Sequence, residues 1–172
     1  MLSRMALRGY KSISECDLDL RNINVLIGAN GAGKSNFISF FRLIQQLLDH
    51  KLQTYISKQG GPDAILHFGR KRTPSVAAEL YFGNNGYKFS LEPTKDNKMV
   101  FAYEDFWWNL KGNWHIANGH FETESESQKS KTHIYKFTIP EMKSWCVYHF
   151  HDTSDTALVK QLHGINDNEY LR

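Results

Sequence analysis

Eight residues near the N-terminus have the composition and spacing of a phosphate-binding loop. Residues 28–35 read Gly-Ala-Asn-Gly-Ala-Gly-Lys-Ser and match the pattern G-x-x-x-x-G-K-[S/T] at every fixed position. Glycines let successive backbone N–H groups turn toward an anion, and the N-terminus of a following helix adds the positive end of its dipole. The ammonium group of Lys34 would contact the β and γ phosphates, and the Ser35 hydroxyl would bind Mg²⁺. The loop therefore predicts binding of a nucleoside triphosphate.

The segments on either side of this loop are those that the motif requires. Residues 23–27 (Ile-Asn-Val-Leu-Ile) are short and mostly apolar, which predicts a central strand covered on both faces. From Lys34 onward, apolar residues recur at spacings of three and four, which predicts a helix buried on most sides. Its apolar residues are Phe37, Ile38, Phe40, Phe41, Leu43, Ile44, Leu47 and Leu48. A strand before the loop and a helix after it are the setting in which the motif binds phosphate.

Short alternating apolar segments elsewhere predict antiparallel strands. These segments are 5–10 and 15–20 as an N-terminal hairpin, then 76–82, 87–91 and 99–103, followed by an aromatic-rich stretch with Phe106, Trp107, Trp108 and Trp114. The residues Gly-Asn-Asn-Gly at 83–86 predict a hairpin turn.

The C-terminal third gives a less regular pattern. Residues 122–132 are polar and of low complexity, so we expect an exposed, mobile loop there. Residues 133–139 predict a strand, and Pro140 suits the first turn of a short helix. Residues 147–150 predict an extended segment, and residues 156–162 a last helical piece.

The residues in and before the loop narrow the class of protein. Asn30 and Gly31 within Gly-x-Asn-Gly-x-Gly-Lys-Ser-Asn, with Leu-Arg-Gly-Tyr-Lys-Ser at 7–12, resemble the N-terminal half of an ABC-type ATPase head of the RecF/SMC/Rad50 kind. The run of antiparallel strands and the segment 145–154 are similar to the prokaryotic AAA and overcoming-lysogenization-defect-like (OLD-like) ATPases of phage-defence and retron systems.

This resemblance implies a set of ligand-binding residues. ATP and Mg²⁺ would be the cofactors, with Ser35 as the metal ligand. The nucleotide-binding residues would be Lys11, Ser12, Asn30, Gly31, Ala32, Gly33, Lys34, Ser35 and Asn36. In this family a basic residue placed like Lys11 helps to hold the nucleotide.

The resemblance also implies an α/β fold, namely a P-loop NTPase with an antiparallel β subdomain. We expect residues 1–172 to form the single N-terminal lobe of such a head. Its parts would be 1–50 with the phosphate loop, 51–121 as the antiparallel subdomain, 122–132 as the mobile loop, and 133–172 leading to a missing C-terminal lobe. The full-length protein would dimerise around ATP and control a nucleic-acid-acting or defence effector, with nucleic acid as a further candidate partner.

A complete head also needs a Ser-Gly-Gly signature and an apolar strand that ends in Asp-Glu. Neither a Ser-Gly dipeptide nor an Asp-Glu dipeptide occurs in the chain. We therefore expect an N-terminal fragment that binds nucleotide weakly and hydrolyses it negligibly, although the resemblance implies ATP hydrolysis by the full-length form. The candidates for a γ-phosphate-sensing residue are Gln53, Gln59, Gln128, Glu104 and Asp105.

Composition excludes several other classes. The formal charge of +3, from 21 basic and 18 acidic residues, does not by itself indicate a nucleic-acid-binding protein. No apolar run is long enough to span a membrane, and no secretory signal is present, so we expect a cytoplasmic protein. Cys16 and Cys146 are far apart in the sequence and predict reduced, structural thiols.

Several further interpretations remain open at this stage. The chain could be a non-catalytic nucleotide-binding interaction module or a small P-loop kinase. His149, His151 and Asp152 could bind a metal, but a surface strand explains them as well. The tryptophans with Lys111 could stack on nucleic acid or fill a small core. The cluster Arg-Lys-Arg at 70–72 could contact phosphates or form a solvated turn.

Overall fold

The computed structural model describes residues 1–108 and 112–148. Its strands are β1 (Arg4–Tyr10), β2 (Ile13–Asp19), β3 (Val76–Phe82), β4 (Asn85–Pro93), β5 (Met99–Trp108) and β6 (Gly112–Ala117). Its helices are α1 (Lys34–Leu48), α2 (Leu52–Lys58), α3 (Pro62–Ile65) and α4 (Ile134–Lys143), with a 3-10 helix at Ser125–Gln128. The chain is therefore of the α/β class, as predicted.

The six strands form a single antiparallel sheet in the order β2-β1-β3-β4-β5-β6. Strand β1 pairs with β2 on one side and with β3 on the other, so the N-terminal hairpin and the later strands belong to one sheet. Phe82 pairs with Asn85, which confirms the predicted hairpin turn between β3 and β4. Within the described residues, no helix is long and apolar enough to cross a membrane.

The hydrophobic core lies between one face of the sheet and the helices. Helix α1 packs against α2 and α4, and α4 packs against β4 and β5. The Tyr10 and Phe40 rings meet edge to face at 5.7 Å, which joins β1 to α1. Ile38 is exposed and Phe41 only half-buried, so α1 is buried along one face rather than on most sides. The opposite face of the sheet carries ion pairs such as Arg4 with Asp17.

The predicted strand at residues 23–27 is absent. The segment has no strand conformation, and the side chains of Ile23, Val25 and Ile27 are 83%, 76% and 91% exposed. A strand needs a neighbour for its backbone N–H and C=O groups, and none of the described strands pairs with this segment. The apolar side chains that predicted a central strand therefore lie at the surface.

Two predictions for the C-terminal third are wrong. Residues 133–139 lie mostly in helix α4, and Pro140 lies inside that helix rather than in a first turn. The segment 122–132 is not a fully exposed loop, because Thr123, Ser125 and Gln128 are buried and a 3-10 helix forms there. Residues 145–148 have no regular structure, and the predicted helical piece at 156–162 lies outside the described residues.

Candidate functional site

The phosphate-binding motif forms a turn that leads directly into α1. Gly31 and Gly33 have φ values of 83° and 92°, in the left-handed region that favours glycine. Gly33 is the N-cap of α1, and the first backbone hydrogen bond of the helix runs from the Phe37 N–H to the Gly33 carbonyl at 2.9 Å. The glycines thus supply the conformation that brings the chain into the helix.

The first turn of α1 presents backbone donors next to the loop. The N–H groups of Lys34, Ser35 and Asn36 donate to no backbone or side-chain acceptor among the described residues. Four such N–H groups lie at the start of every α-helix, and the helix dipole makes this end positive. This arrangement, with the Ser35 hydroxyl beside it, fits the phosphates of a nucleotide and a Mg²⁺ ion.

The side chain of Lys34 folds back over the loop. Its ammonium group donates to the carbonyl oxygens of Gly28 at 2.6 Å and Ala29 at 2.7 Å. Both acceptors belong to the predicted motif, so the ammonium is held at the loop. It forms no ion pair with a carboxylate of residues 1–108 or 112–148. A phosphate oxygen entering the loop would be a stronger, charged partner for the same group.

The turn between β1 and β2, which carries Lys11 and Ser12, approaches the loop at Ser12. The Asn36 side-chain amide donates to the Ser12 hydroxyl at 2.7 Å. A Cβ atom built on Gly33 would lie 3.1 Å from the same hydroxyl oxygen, so the turn and the loop approach each other closely. The backbone N–H of Lys11 donates to the Ile65 carbonyl at 2.7 Å, which fixes this turn from its other side.

An open pocket of about 360 Å³ lies between β2, the phosphate loop and α1. Its lining comprises Ser12, Ile13, Ser14, Glu15, Cys16, Leu26, Ile27, Ala32, Gly33, Lys34 and Phe37. Glu15, one of these lining residues, accepts a hydrogen bond of 2.9 Å from Arg8. The residues of β2 were missed in the sequence, where their alternation indicated only a half-buried strand.

Arg42 lies about two turns along α1 from Lys34. The pKa of the Lys11 ammonium is lowered by partial burial and by the positive charge of Arg42. The Lys11 ammonium in turn donates to the Gln59 side-chain oxygen at 3.1 Å.

Of the five candidates for a γ-phosphate-sensing residue, Gln59 contacts a predicted site residue, namely Lys11. Gln53 instead donates to the carbonyls of Met99 and Phe121. The other three also have structural partners: Gln128 accepts from Trp114, Asp105 contacts His115 and Lys88, and Glu104 is fully buried.

The remaining candidates from the sequence are the tryptophans, the possible metal ligands and the cysteines. Trp107 packs edge to face on Tyr81 at 4.7 Å, and Trp114 donates to Gln128 at 3.2 Å, which favours the packing interpretation of these rings. Lys111 and the candidate metal ligands His149, His151 and Asp152 lie outside the described residues. No group of three or more His, Cys, Asp or Glu side chains in the described part of the chain could hold a metal ion. Cys16 and Cys146 are free thiols.

A family model described as an AAA ATPase domain matches residues 1–172. No curated protein matches the chain. The family match suggests nucleotide binding, in agreement with the phosphate-loop motif.

Proposed function

The chain belongs to the AAA ATPase domain family, and we propose that residues 28–36, with Lys11 and Ser12, bind ATP and its Mg²⁺ ion in a P-loop fold. The observation that carries this proposal is the position of the Lys34 ammonium, 2.6 Å and 2.7 Å from two carbonyls of the motif and beside the N-terminus of α1. When bound, Mg²⁺ would supply charge neutralisation between phosphate oxygens.

Each residue of the proposed site has a separate role. Lys34 binds phosphate oxygens by charge, and the N–H groups of the first helical turn donate to them. Ser35 supplies its hydroxyl to the metal. Asn36 and Ser12 position the loop against the β1–β2 turn. Lys11, whose ammonium donates to Gln59 in this structure, would add a second positive charge when nucleotide is bound.

Hydrolysis requires a group that orients water, and the described pocket does not offer a free carboxylate for this task. Glu15 is the acidic residue of its lining, and its carboxylate accepts a hydrogen bond from Arg8 at 2.9 Å. We therefore place turnover in a full-length RecF/SMC-like form that dimerises around ATP. That form would control a nucleic-acid-acting or defence effector. The isolated chain would act as its ATP-binding lobe.

Titration of the 172-residue chain with Mg-ATP tests the proposal. Lys34→Ala should weaken binding by at least about tenfold, because a hydrogen bond to a charged phosphate is lost. Lys58→Ala, which removes the same charge from an exposed position on α2, should leave the affinity unchanged. Equal affinity of the folded Lys34→Ala variant and the parent would refute the assignment of the site. Release of phosphate by the parent chain at a rate above that of Lys34→Ala would contradict the proposal that turnover needs the full-length form.

A further inference from the structure

The loop between α3 and β3 holds an aromatic side chain out in solvent. Phe68 is 71% exposed, and its φ of 57° is in the left-handed region, which is strained for a bulky residue. An apolar ring at the surface in a strained conformation contributes little to folding. Such strain persists where the surrounding structure imposes it, and it is concentrated at functional sites.

The residues on either side of Phe68 impose this conformation. The His67 N–H donates to the Gly9 carbonyl at 2.9 Å, and the His67 Nδ1 lies 2.8 Å from the Lys11 carbonyl oxygen. On the other side, the Arg70 guanidinium donates to Asp63, to the Thr94 carbonyl at 3.1 Å and to the Asn97 side chain at 2.7 Å. The loop is therefore fixed to both β1 and the β4–β5 turn.

Positive charge surrounds this ring. Residues 63–73 and the adjoining turn 94–98 contain five Lys and Arg residues against two Asp residues, a net charge of +3 that equals the net charge of the whole chain. Lys71, Arg72, Lys95 and Lys98 are all exposed. The rest of the chain, with 16 basic and 16 acidic residues, is therefore neutral by formal charge.

A second exposed ring lies next to the same turn. Phe121 is 45% exposed, and the Lys98 ammonium is 5.3 Å from the centre of its ring. The Arg72 guanidinium lies 5.2 Å from the centre of the Phe68 ring in the same way. Each of the two exposed rings therefore has a cation near its face, and the β4–β5 turn contacts the loop of Phe68 through Arg70 and the ring of Phe121 through Lys98.

We propose that this surface, formed by Phe68, Lys71, Arg72, Lys98 and Phe121, binds single-stranded nucleic acid. Unpaired bases have free faces that stack on aromatic side chains, and the phosphates between them pair with Lys and Arg. A duplex keeps its bases stacked inside, so it would use the cations but not the rings. The binding does not depend on the nucleotide site, although His67 joins this loop to the turn that carries Lys11.

The test is fluorescence anisotropy of a labelled twelve-nucleotide oligothymidylate with the 172-residue chain, without ATP. Phe68→Asn removes the ring but keeps a residue that tolerates the left-handed conformation. It should weaken binding roughly 5- to 150-fold, the range measured for loss of one stacked base. Phe137→Gln removes a ring from α4 that is 59% exposed and should have no effect.

A salt titration tests the cations separately. The double variant Lys71→Gln, Arg72→Gln should reduce the slope of log affinity against log salt concentration by about 1.4, since each phosphate contact to a single strand contributes about 0.7. Lys129→Gln, Lys131→Gln removes the same charge from the segment before α4 and serves as the control.

Three results would overturn the proposal. The first is an equal loss of salt dependence in the two double variants. The second is that a duplex of the same sequence binds as tightly as the single strand. The third is that a polyglutamate peptide, at the same concentration of charge, displaces the oligonucleotide. The last of these would assign the surface to an acidic protein partner. ATP titration of Phe68→Asn should match the parent, so failure here and failure of the nucleotide site are distinguishable.

Discussion

The side-chain amide of Asn36 donates a hydrogen bond of 2.7 Å to the hydroxyl of Ser12, across 24 residues of sequence. Asn36 lies in the first turn of α1, and Ser12 lies in the turn between β1 and β2. The contact therefore joins the phosphate loop to the sheet at the point where Lys11 is also held. Because the two residues come from separate elements, their hydrogen bond restricts how the loop moves relative to β1.

A double-mutant cycle measures this contact. Ser12→Ala and Asn36→Ala should each weaken Mg-ATP binding by roughly 2- to 12-fold, the worth of one ordinary hydrogen bond. Because both variants break the same bond, the double variant should lose no more than the larger single loss. Isothermal titration of the four proteins gives the coupling, and additive losses would show that the bond does not position the loop.

The close approach of Gly33 to Ser12 gives a second prediction. Gly31→Ala and Gly33→Ala both place a side chain at a positive φ, but only the new Cβ at residue 33 meets the Ser12 hydroxyl, at 3.1 Å. Gly33→Ala should therefore lower the free energy of unfolding in urea by about 1 kcal/mol more than Gly31→Ala does. In a Ser12→Ala background this difference should disappear; a difference that persists would place its origin elsewhere.

The phosphate loop and the strands were predictable from sequence because their signals are local. The motif at 28–35 has fixed residue types, and alternation in 76–82 sets the strand directly. The segment 133–139 was misassigned because Ile134, Tyr135 and Thr138 favour strands by composition, whereas their buried positions follow helical spacing in α4. Packing of the buried face against β4 and β5 therefore favours a helix in this segment.

Long-range contacts explain the other differences. The polar residues around Thr123 are ordered because they contact a carboxylate about twenty residues earlier, Glu104, which no local pattern reveals. Residues 23–27 have the composition of a central strand but no described neighbour to pair with. In the site, Lys11 was placed by the family resemblance, whereas its contact with Gln59 depends on how α2 packs.

The buried carboxylate of Glu104 should be a major determinant of stability. It has no solvent exposure and accepts hydrogen bonds from Tyr87 at 2.6 Å, from Thr123 and from the Glu124 N–H at 2.9 Å. Glu104→Ala leaves these donors buried without an acceptor and should lower the free energy of unfolding by about 3 kcal/mol.

A matched control for this carboxylate is available on β4. Glu92 is exposed, and Glu92→Ala should change the free energy of unfolding by less than about 0.5 kcal/mol. Urea denaturation followed by circular dichroism compares the two variants. A Glu104→Ala protein as stable as Glu92→Ala would show that the network contributes nothing to the fold.

The exposed segment 23–27 should affect the self-association of the chain rather than its free energy of unfolding. Replacing Ile23, Val25 and Ile27 by Ser should leave the urea midpoint of the 172-residue chain nearly unchanged, because these side chains are at least 76% exposed. The same variant should self-associate less in light scattering, because an exposed apolar segment with unpaired backbone groups pairs readily with another chain. Leu43→Ala, at a fully buried position, should instead cost about 2–5 kcal/mol. A large loss of stability in the Ser variant would mean that the segment is packed.

His120 makes the stability of the sheet edge depend on pH. Its ring stacks on Phe101 at 4.5 Å, and its Nε2 lies 2.9 Å from the Glu104 carboxylate. Burial lowers the pKa of His120, but the hydrogen bond and charge of Glu104, together with the charge of Glu124, outweigh it and raise the pKa above 6.5. The protonated ring is therefore favoured more strongly in the folded protein than in the unfolded chain.

The sign of the effect follows from this raised pKa. The contribution of His120 to stability is fully present below pH 6.5 and is lost as the pH rises through the folded-state pKa. Between pH 6 and pH 9 the parent should lose stability relative to His120→Gln, which keeps a side-chain donor but cannot titrate. Urea midpoints of both proteins at each pH give the comparison, in which the titration of other groups cancels. A parent-minus-variant difference that stays constant, or that grows with pH, would show that Glu104 does not hold the protonated ring.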